Sequence, residues 1–390
     1  MNKIIHYIDQ NLIKVILGQR RVGKSYFMYE IMEVIRQRNP DAPIIYINKE
    51  LIDFDHIQDY KQLAAYLDAE IKSDAKHYIF IDEIQDIASF EKTLRSLQAH
   101  AKHDLYITGS NAFLLSGELS TYLSGRYVEM QLHGLSYQEF IFFHKLEPSN
   151  ESLMMYLRYG GLPFLVNMPL KDEVVFDYVR NIYEAILFKD VVARHQVRNV
   201  VLLGNLVKLL ADSTGSVVSA KRISDFLKSQ RVEISPNVIL NYVGHLEQAF
   251  FLNKVTRLEV MGKKQLEIGH KYYFEDLGLR NSLVGYKQVD IGKMMENVVY
   301  LHLKIMGYTV YVGKNNEKEI DFVAVQGTEK IYVQVVYMIA DESTKEREFG
   351  NLLSIRDNYP KYVVTLDVGA GGNVMGVKHV HLLDFVMQRW

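Results

Sequence analysis

Gly18 and Gly23 bracket four residues, and Lys24 and Ser25 follow directly, within the stretch KVILGQRRVGKS. Phosphate chemistry needs this spacing. Glycines let backbone N–H groups turn inward around phosphate oxygens with no Cβ in the way. Lys24 supplies a point charge to β- and γ-phosphates, and Ser25 offers its hydroxyl to Mg²⁺. The run Gly18, Gln19, Arg20, Arg21, Val22, Gly23, Lys24, Ser25 and Tyr26 is therefore read as a nucleotide-binding loop. An apolar stretch, Val15 to Leu17, feeds it, and the helical pattern from Tyr26 to Arg38 turns its amino terminus toward the same anion.

A second constellation lies about sixty residues downstream in YIFIDE. Asp82, at the tip of an apolar strand, is placed to hold Mg²⁺ directly or through water. Glu83 is placed to polarise a water for attack on the γ-phosphate. Two adjacent acids favour hydrolysis over binding alone. Ser110 and Asn111 follow the next strand and are read as γ-phosphate sensors, with Asn111 orienting the water. Arg126 precedes a further strand, where an arginine can stabilise developing charge in its own subunit or across an interface.

These residues require a framework. From residue 1 to about 135 the chain alternates strand and helix: Pro43 to Asn48, Tyr60 to Ile71, Tyr78 to Ile81, Phe90 to Ala101, Leu105 to Thr108 and Tyr127 to Leu132. Such alternation predicts an α/β fold with a mostly parallel sheet and helices on both faces. Ligands then bind at the carboxyl ends of the strands, where the loop, Asp82-Glu83 and Ser110-Asn111 all fall.

The 390 residues exceed one ordinary core and indicate several domains. A net charge of −2 leaves no global polyanion footprint, so any nucleic-acid contact is local. The absence of cysteine excludes disulfides and cysteine-ligated metal, and fits a reducing, cytoplasmic setting. The amino-terminal residues Lys3, His6 and Asp9 interrupt any signal-like run, and no membrane span is expected.

The order of motifs resembles the AAA+/STAND-type P-loop ATPases of prokaryotes that carry a C-terminal restriction-endonuclease-like domain of unassigned function. GQRRVGKS, FIDEIQ, ITGSNA, LSGR with LSYQEF, YLRYGGLP, ILFKDVVARH, YYFEDLGLRN and EIDFVAV carry the likeness over nearly the full length. Gly134 departs from it, since proline is expected there. The resemblance implies ATP as the nucleotide, and it implies that Pro163, in the glycine-proline element, lies near the adenine. No guanine-reading Asn-Lys-x-Asp motif occurs.

Four domains are expected: an AAA-type core over residues 1–135, a helical lid over 136–205, a winged helix over 206–262 and a nuclease-like domain over 263–390. Arg158, in the lid, is a candidate second sensor. In the winged helix, Asn237, Asn241, His245 and Gln248 form a stripe that could read bases, although it contains no Lys or Arg to contact phosphate. Lys221, Arg222, Lys228 and Arg231 lie nearby.

An active nuclease-like core needs an acid on its first helix, an Asp on the second strand and Glu-x-Lys on the third. Glu296 and Asp321 fill the first two roles, but the third reads Gln334-Val335-Val336. Glutamine is a weak Mg²⁺ ligand beside a carboxylate, and valine cannot replace lysine. The domain is read as inactive, a recognition or docking module for a protein partner. The expectation is a Mg²⁺-dependent, homo-oligomeric ATPase whose nucleotide state repositions its later domains. An ATP-regulated DNA-binding protein is the alternative, followed by an ATP-dependent nuclease.

Overall fold

The computed structural model describes residues 2–112, 123–260, 264–316 and 318–390. The chain forms two compact units: residues 1–133 with 248–250, and residues 134–247 with 251–390.

In the first unit five strands form a wholly parallel sheet: β1 (Ile13–Leu17), β2 (Ile44–Asn48), β3 (Tyr78–Asp82), β4 (Asp104–Gly109) and β5 (Tyr127–Gln131), in the order β2-β3-β4-β1-β5. β1, β3 and β4 are buried at every position, which is why they read as continuous apolar runs. Side chains nevertheless alternate between two cores. Val15, Leu17, Ile79, Ile81, Leu105 and Ile107 pack on one face. Ile16, Phe80 and Tyr106 meet Met28, Ile31 and Ile35 of the helix Lys24–Arg38 on the other. Lys14, fully buried within β1, is neutralised by Asp104 and also donates to the Gln10 carbonyl at 2.7 Å. The expected α/β sheet is thus present, with strand ends within a residue or two of the sequence reading.

The second unit begins with the helices Tyr137–His144, Asn150–Tyr159 and Asp172–Ala185, continues as a π-helix over Ile186–Ala193, and resumes with Val200–Asp212. Next come β6 (Val217–Val218) and the helices Ala220–Ser229 and Pro236–Gln248. The hairpin β7 (Leu252–Glu259) and β8 (Lys264–Phe274) follows. The remaining strands are β9 (Thr309–Asn315), β10 (Lys318–Gln326), β11 (Glu329–Val335), β12 (Lys361–Thr365), β13 (Gly372–Val374) and β14 (Val377–His381). All nine strands, β6 to β14, belong to one sheet ordered β13-β14-β12-β11-β10-β9-β7-β8-β6. The boundary expected after 262 therefore separates β7 from β8, two strands that pair with each other. β7 pairs in parallel with β9 through Arg257–Glu259 and Val312–Lys314. That pairing satisfies edge groups of the hairpin that a free wing would leave to solvent.

Two of the family-like motifs meet in this unit. Asp276 caps the helix Leu277–Val284 through the Leu279 N–H at 3.0 Å and accepts the Gly161 N–H at 2.7 Å. Gly160 stands at φ 77°, and a Cβ there would lie 2.4 Å from the Asp276 carboxylate. Asn281 adds donations to the Leu157 and Arg158 carbonyls. YLRYGGLP and YYFEDLGLRN therefore form one joint, and the glycine pair is the backbone that lets the acid in.

Candidate active site

β1 ends at Leu17, and its carboxyl end opens into the glycine loop. Gly18 is irreplaceable on steric grounds, because a Cβ would sit 2.3 Å from the Leu132 carbonyl oxygen. Gly23 has φ 96° and Arg21 φ 70°, so the loop holds two left-handed residues just before the helix Lys24–Arg38. The Lys24 ammonium is buried and donates to the Gly18 and Gln19 carbonyls, both at 3.2 Å. It therefore spans the loop it serves. Gln19 is also fully buried, and neither polar atom of its amide has a hydrogen-bond partner among the described residues. Orphaned polar atoms at this depth cost free energy and mark a place built for a polar ligand. Arg20 pairs with Glu50 at 3.3 Å, Val22 is buried, and Tyr26 and Arg21 face solvent.

The acidic pair sits at the carboxyl end of β3. Asp82 accepts from the Tyr46 hydroxyl at 3.1 Å on one oxygen and from the Thr108 hydroxyl on the other. The same Thr108 oxygen accepts the Glu83 N–H at 2.9 Å, so one hydroxyl ties both acids to β4. Glu83 adopts a left-handed backbone, φ 55°, which turns its side chain out of the strand direction. Its carboxylate lies 3.3 Å from the Lys24 ammonium and accepts from the Ser110 hydroxyl at 3.0 Å and from the Gln85 amide. Burial alone would raise its pKa. The Lys24 charge, with the Gln85 and Ser110 donors and the Arg20 charge, outweighs that and holds the carboxyl below the usual carboxylate range. Glu83 is thus ionised at neutral pH.

Mg²⁺ fits these residues. Among the described residues no group of three or more His, Cys, Asp or Glu could cage a metal ion. A hard cation that keeps its waters and uses nucleotide phosphates needs only one or two protein groups, here the Ser25 hydroxyl and Asp82. Held there by Ser25 and Asp82, such an ion would supply positive charge against that of the phosphates.

Ser110 and Asn111 follow β4, both buried at the same end of the sheet. Ser110 contacts Glu83, so its visible part is to hold the base. Arg126 requires a correction. β1 and β5 are parallel in the register Ile13↔Tyr127 to Leu17↔Gln131. Arg126 therefore lies at the amino end of the strands, exposed, with the full length of β1 between it and the loop. At about 3.3 Å per residue that is roughly 16 Å, beyond the reach of an arginine side chain. Action on the phosphate of its own subunit is excluded. Thr108 and Gln85 were missed by the sequence reading. The available signal was a lone hydroxyl inside the apolar strand YITG, which has to find a buried partner.

Pro163 belongs to the second unit, where it opens a 3₁₀ turn, Pro163–Asn167. Arg158 is ion-paired with Asp172 and lies 5.0 Å over the Tyr286 ring, so it is already engaged as a structural group. On the helix Pro236–Gln248, Asn237 and Asn241 are exposed. His245 is half-buried and stacks on His195 with centroids 3.8 Å apart, which removes it from a base-reading stripe.

The second unit holds its own buried acidic cluster. Glu296 of the helix Ile291–Ile305 and Asp321 of β10 come together as expected, and Glu319 joins them. Gln334 lies beside Asp321 on the neighbouring strand, where its amide oxygen accepts the Asp321 N–H at 3.3 Å. The lysine missing from the third strand has a counterpart on β8. Lys271 is buried, with its ammonium 2.8 Å from Glu296, 3.0 Å from Glu319 and 3.2 Å from Asp321.

The parallel sheet, the glycine loop and the acidic strand end together define a P-loop ATPase domain of AAA type. In agreement, a family described as an AAA domain matches residues 10–141, and a domain of unknown function, DUF8612, matches residues 150–290, across two of the three inner boundaries expected from sequence. An uncharacterized protein of Haemophilus influenzae is 34% identical over 398 residues, covering 100% of this chain and 97% of its own length. The chain belongs to the family of that Haemophilus protein. An uncharacterized protein of Methanocaldococcus jannaschii is 28% identical, over 87% of this chain and 77% of its own. A Walker-type ATPase of Pyrococcus abyssi shares the fold with a TM-score of 0.53 at 16% identity, over 73% of this chain and 94% of that one. Among the described residues no helix is long and apolar enough to cross a membrane.

Proposed function

We propose that this chain is a Mg²⁺-dependent ATPase whose hydrolysis cycle drives a conformational or assembly switch of its later domains. The observation that carries it is the opposition of Lys24 and Glu83 across 3.3 Å, with Ser110, Gln85 and Thr108 aiming the acid. Lys24 and Ser25 hold phosphate and metal, Asp82 supports the metal, and Glu83 takes the proton of the attacking water. Before nucleotide arrives, Lys24 neutralises Glu83. A γ-phosphate that draws the ammonium toward itself leaves Glu83 free to act as a base. Asn111 is assigned to orient the water, and Pro163 to the adenine. Arg126, unable to serve its own site, is assigned to a neighbouring subunit, which makes the working form a homo-oligomer in the cytoplasm. The four-domain division of the sequence reading stays part of this proposal, with the hairpin of the winged helix shared with the C-terminal sheet. The nuclease-shaped C-terminal region is proposed to be a docking module for a protein partner without cleavage activity.

Glu83→Gln tests the core of this reading. Turnover should fall about 100-fold or more, while filter-retained ATP stays at one per chain. Unchanged turnover removes Glu83 as the base.

A second reading, ATP-regulated DNA binding, draws on the exposed Lys221, Arg222, Lys228 and Arg231 beside Asn237 and Asn241. It predicts duplex binding that weakens with salt and differs between ATP and ADP. No binding at low salt in either state removes it.

A further inference from the structure

We infer that the Lys271 ammonium stands where a nuclease-like core would hold its divalent cation, so that the carboxylates of the C-terminal region are neutralised by the chain itself. The inference rests on the nuclease-shaped reading above and assigns that region's loss of metal to a residue. Three carboxylates converge on one nitrogen: Glu296 at 2.8 Å, Glu319 at 3.0 Å and Asp321 at 3.2 Å. Of the three N–H donors of an ammonium, two are hydrogen-bonded to Glu296 and Asp321, and Glu319 completes the cluster as an ion pair.

Two of the remaining oxygens are also committed: the second oxygen of Asp321 accepts the Val335 N–H at 2.9 Å, and that of Glu319 faces Arg257 at 3.5 Å, while the Tyr273 hydroxyl donates to the same Glu296 oxygen that takes Lys271. Backbone closes over the cluster at Gly215, where a Cβ would stand 3.0 Å from Glu296. A divalent ion binds carboxylate oxygen at about 2.0–2.6 Å and brings waters with it, and the distances here are those of ammonium hydrogen bonds. Among the described residues no group of three or more His, Cys, Asp or Glu is arranged to hold a metal ion. The residues do not fit the metal, because an internal cation already meets their charge. Burial, and then the Asp321 charge, push the Glu296 carboxyl above its usual range against the pull of Lys271. Releasing the lysine would leave the three acids facing one another without a cation, which is costly.

Calorimetric titration of Mn²⁺ into full-length, nucleotide-free protein tests this. Wild type and Asp321→Asn should bind Mn²⁺ alike, because neither has a site at the cluster. Lys271→Ala should gain one equivalent of Mn²⁺ per chain, and the double variant Lys271→Ala/Asp321→Asn should lose that gain. A folded Lys271→Ala protein that gains none overturns the inference and leaves the inactive-module reading intact. Should Lys271→Ala fail to fold, wild type against Glu319→Gln, at the more exposed acid, decides. Equal Mn²⁺ binding supports the inference, and Mn²⁺ bound by wild type but lost in the variant overturns it. Plasmid nicking in the same Mn²⁺ separates the two readings. Binding by wild type that is lost in Asp321→Asn, without nicking, overturns the inference alone, and such binding with nicking overturns the inactive reading as well.

Discussion

Glu83 shows how a single residue is prepared for its task. A left-handed φ of 55° is uncommon for a residue with a side chain, and the Thr108 hydroxyl that takes its N–H helps hold it there. Its depressed pKa has a definite sign. A carboxyl held below its unfolded value contributes stability above that value, and the contribution is lost as pH falls through the folded pKa. The same shift keeps the base ionised across neutral pH. Removing a donor should weaken the effect, so Ser110→Ala is expected to move the acidic limb of the kcat–pH profile upward, measured by steady-state turnover from pH 4.5 to 8. An unmoved limb would mean that Ser110 does not tune the base. Asp82 and Glu83 were legible in the sequence because an apolar strand ending in two acids is a local pattern. Lys271 was not, because it lies 25 and 50 residues from its partners Glu296 and Asp321, with no spacing to connect them.

At the level of elements, the strands of the first unit do the positioning. A parallel sheet buried on both faces puts every strand's carboxyl end on one edge, and the loop, the acids and Ser110 arrive there together. The same regularity places Arg126 at the far edge, because its residue precedes a strand where Ser110 follows one. In the second unit, the Gly160-Gly161 turn receives Asp276 from a helix cap more than one hundred residues away. Gly160→Ala should cost about 1–3 kcal/mol from the backbone alone, with further loss from collision with Asp276. Urea denaturation followed by far-UV dichroism would read it. A substitution without effect would show that the turn can relax. The π-helical stretch Ile186–Ala193, which buries Asp190, escaped helix-period reasoning because its repeat is not 3.6 residues.

For the molecule as a whole, the exposed Arg126 yields the most direct prediction. If it serves a neighbour's phosphate, light scattering after size exclusion should show an oligomer with Mg²⁺ and a non-hydrolysable ATP analogue. Arg126→Ala should reduce the assembly or leave it intact but inactive. A monomer that hydrolyses ATP at an undiminished rate when Arg126 is removed would retire the trans role. The nine-stranded sheet also bears on this scale. The hairpin β7–β8, as a member of the C-terminal sheet, cannot swing independently of it. Motion in the second unit therefore involves that hairpin and sheet together.

Read alone, the order of residues marks the phosphate loop of an AAA-type domain, since such a loop is built from consecutive residues and a buried strand from a short apolar run. It settles the α/β alternation for the same reason: both depend on neighbours along the chain. Tertiary structure decided what depends on distant pairing. Register put Arg126 on the wrong edge for its own site, and a shared sheet joined two regions that composition divides. The fold also brought Lys271 into three carboxylates, where proximity in space, without any proximity in sequence, sets the charge.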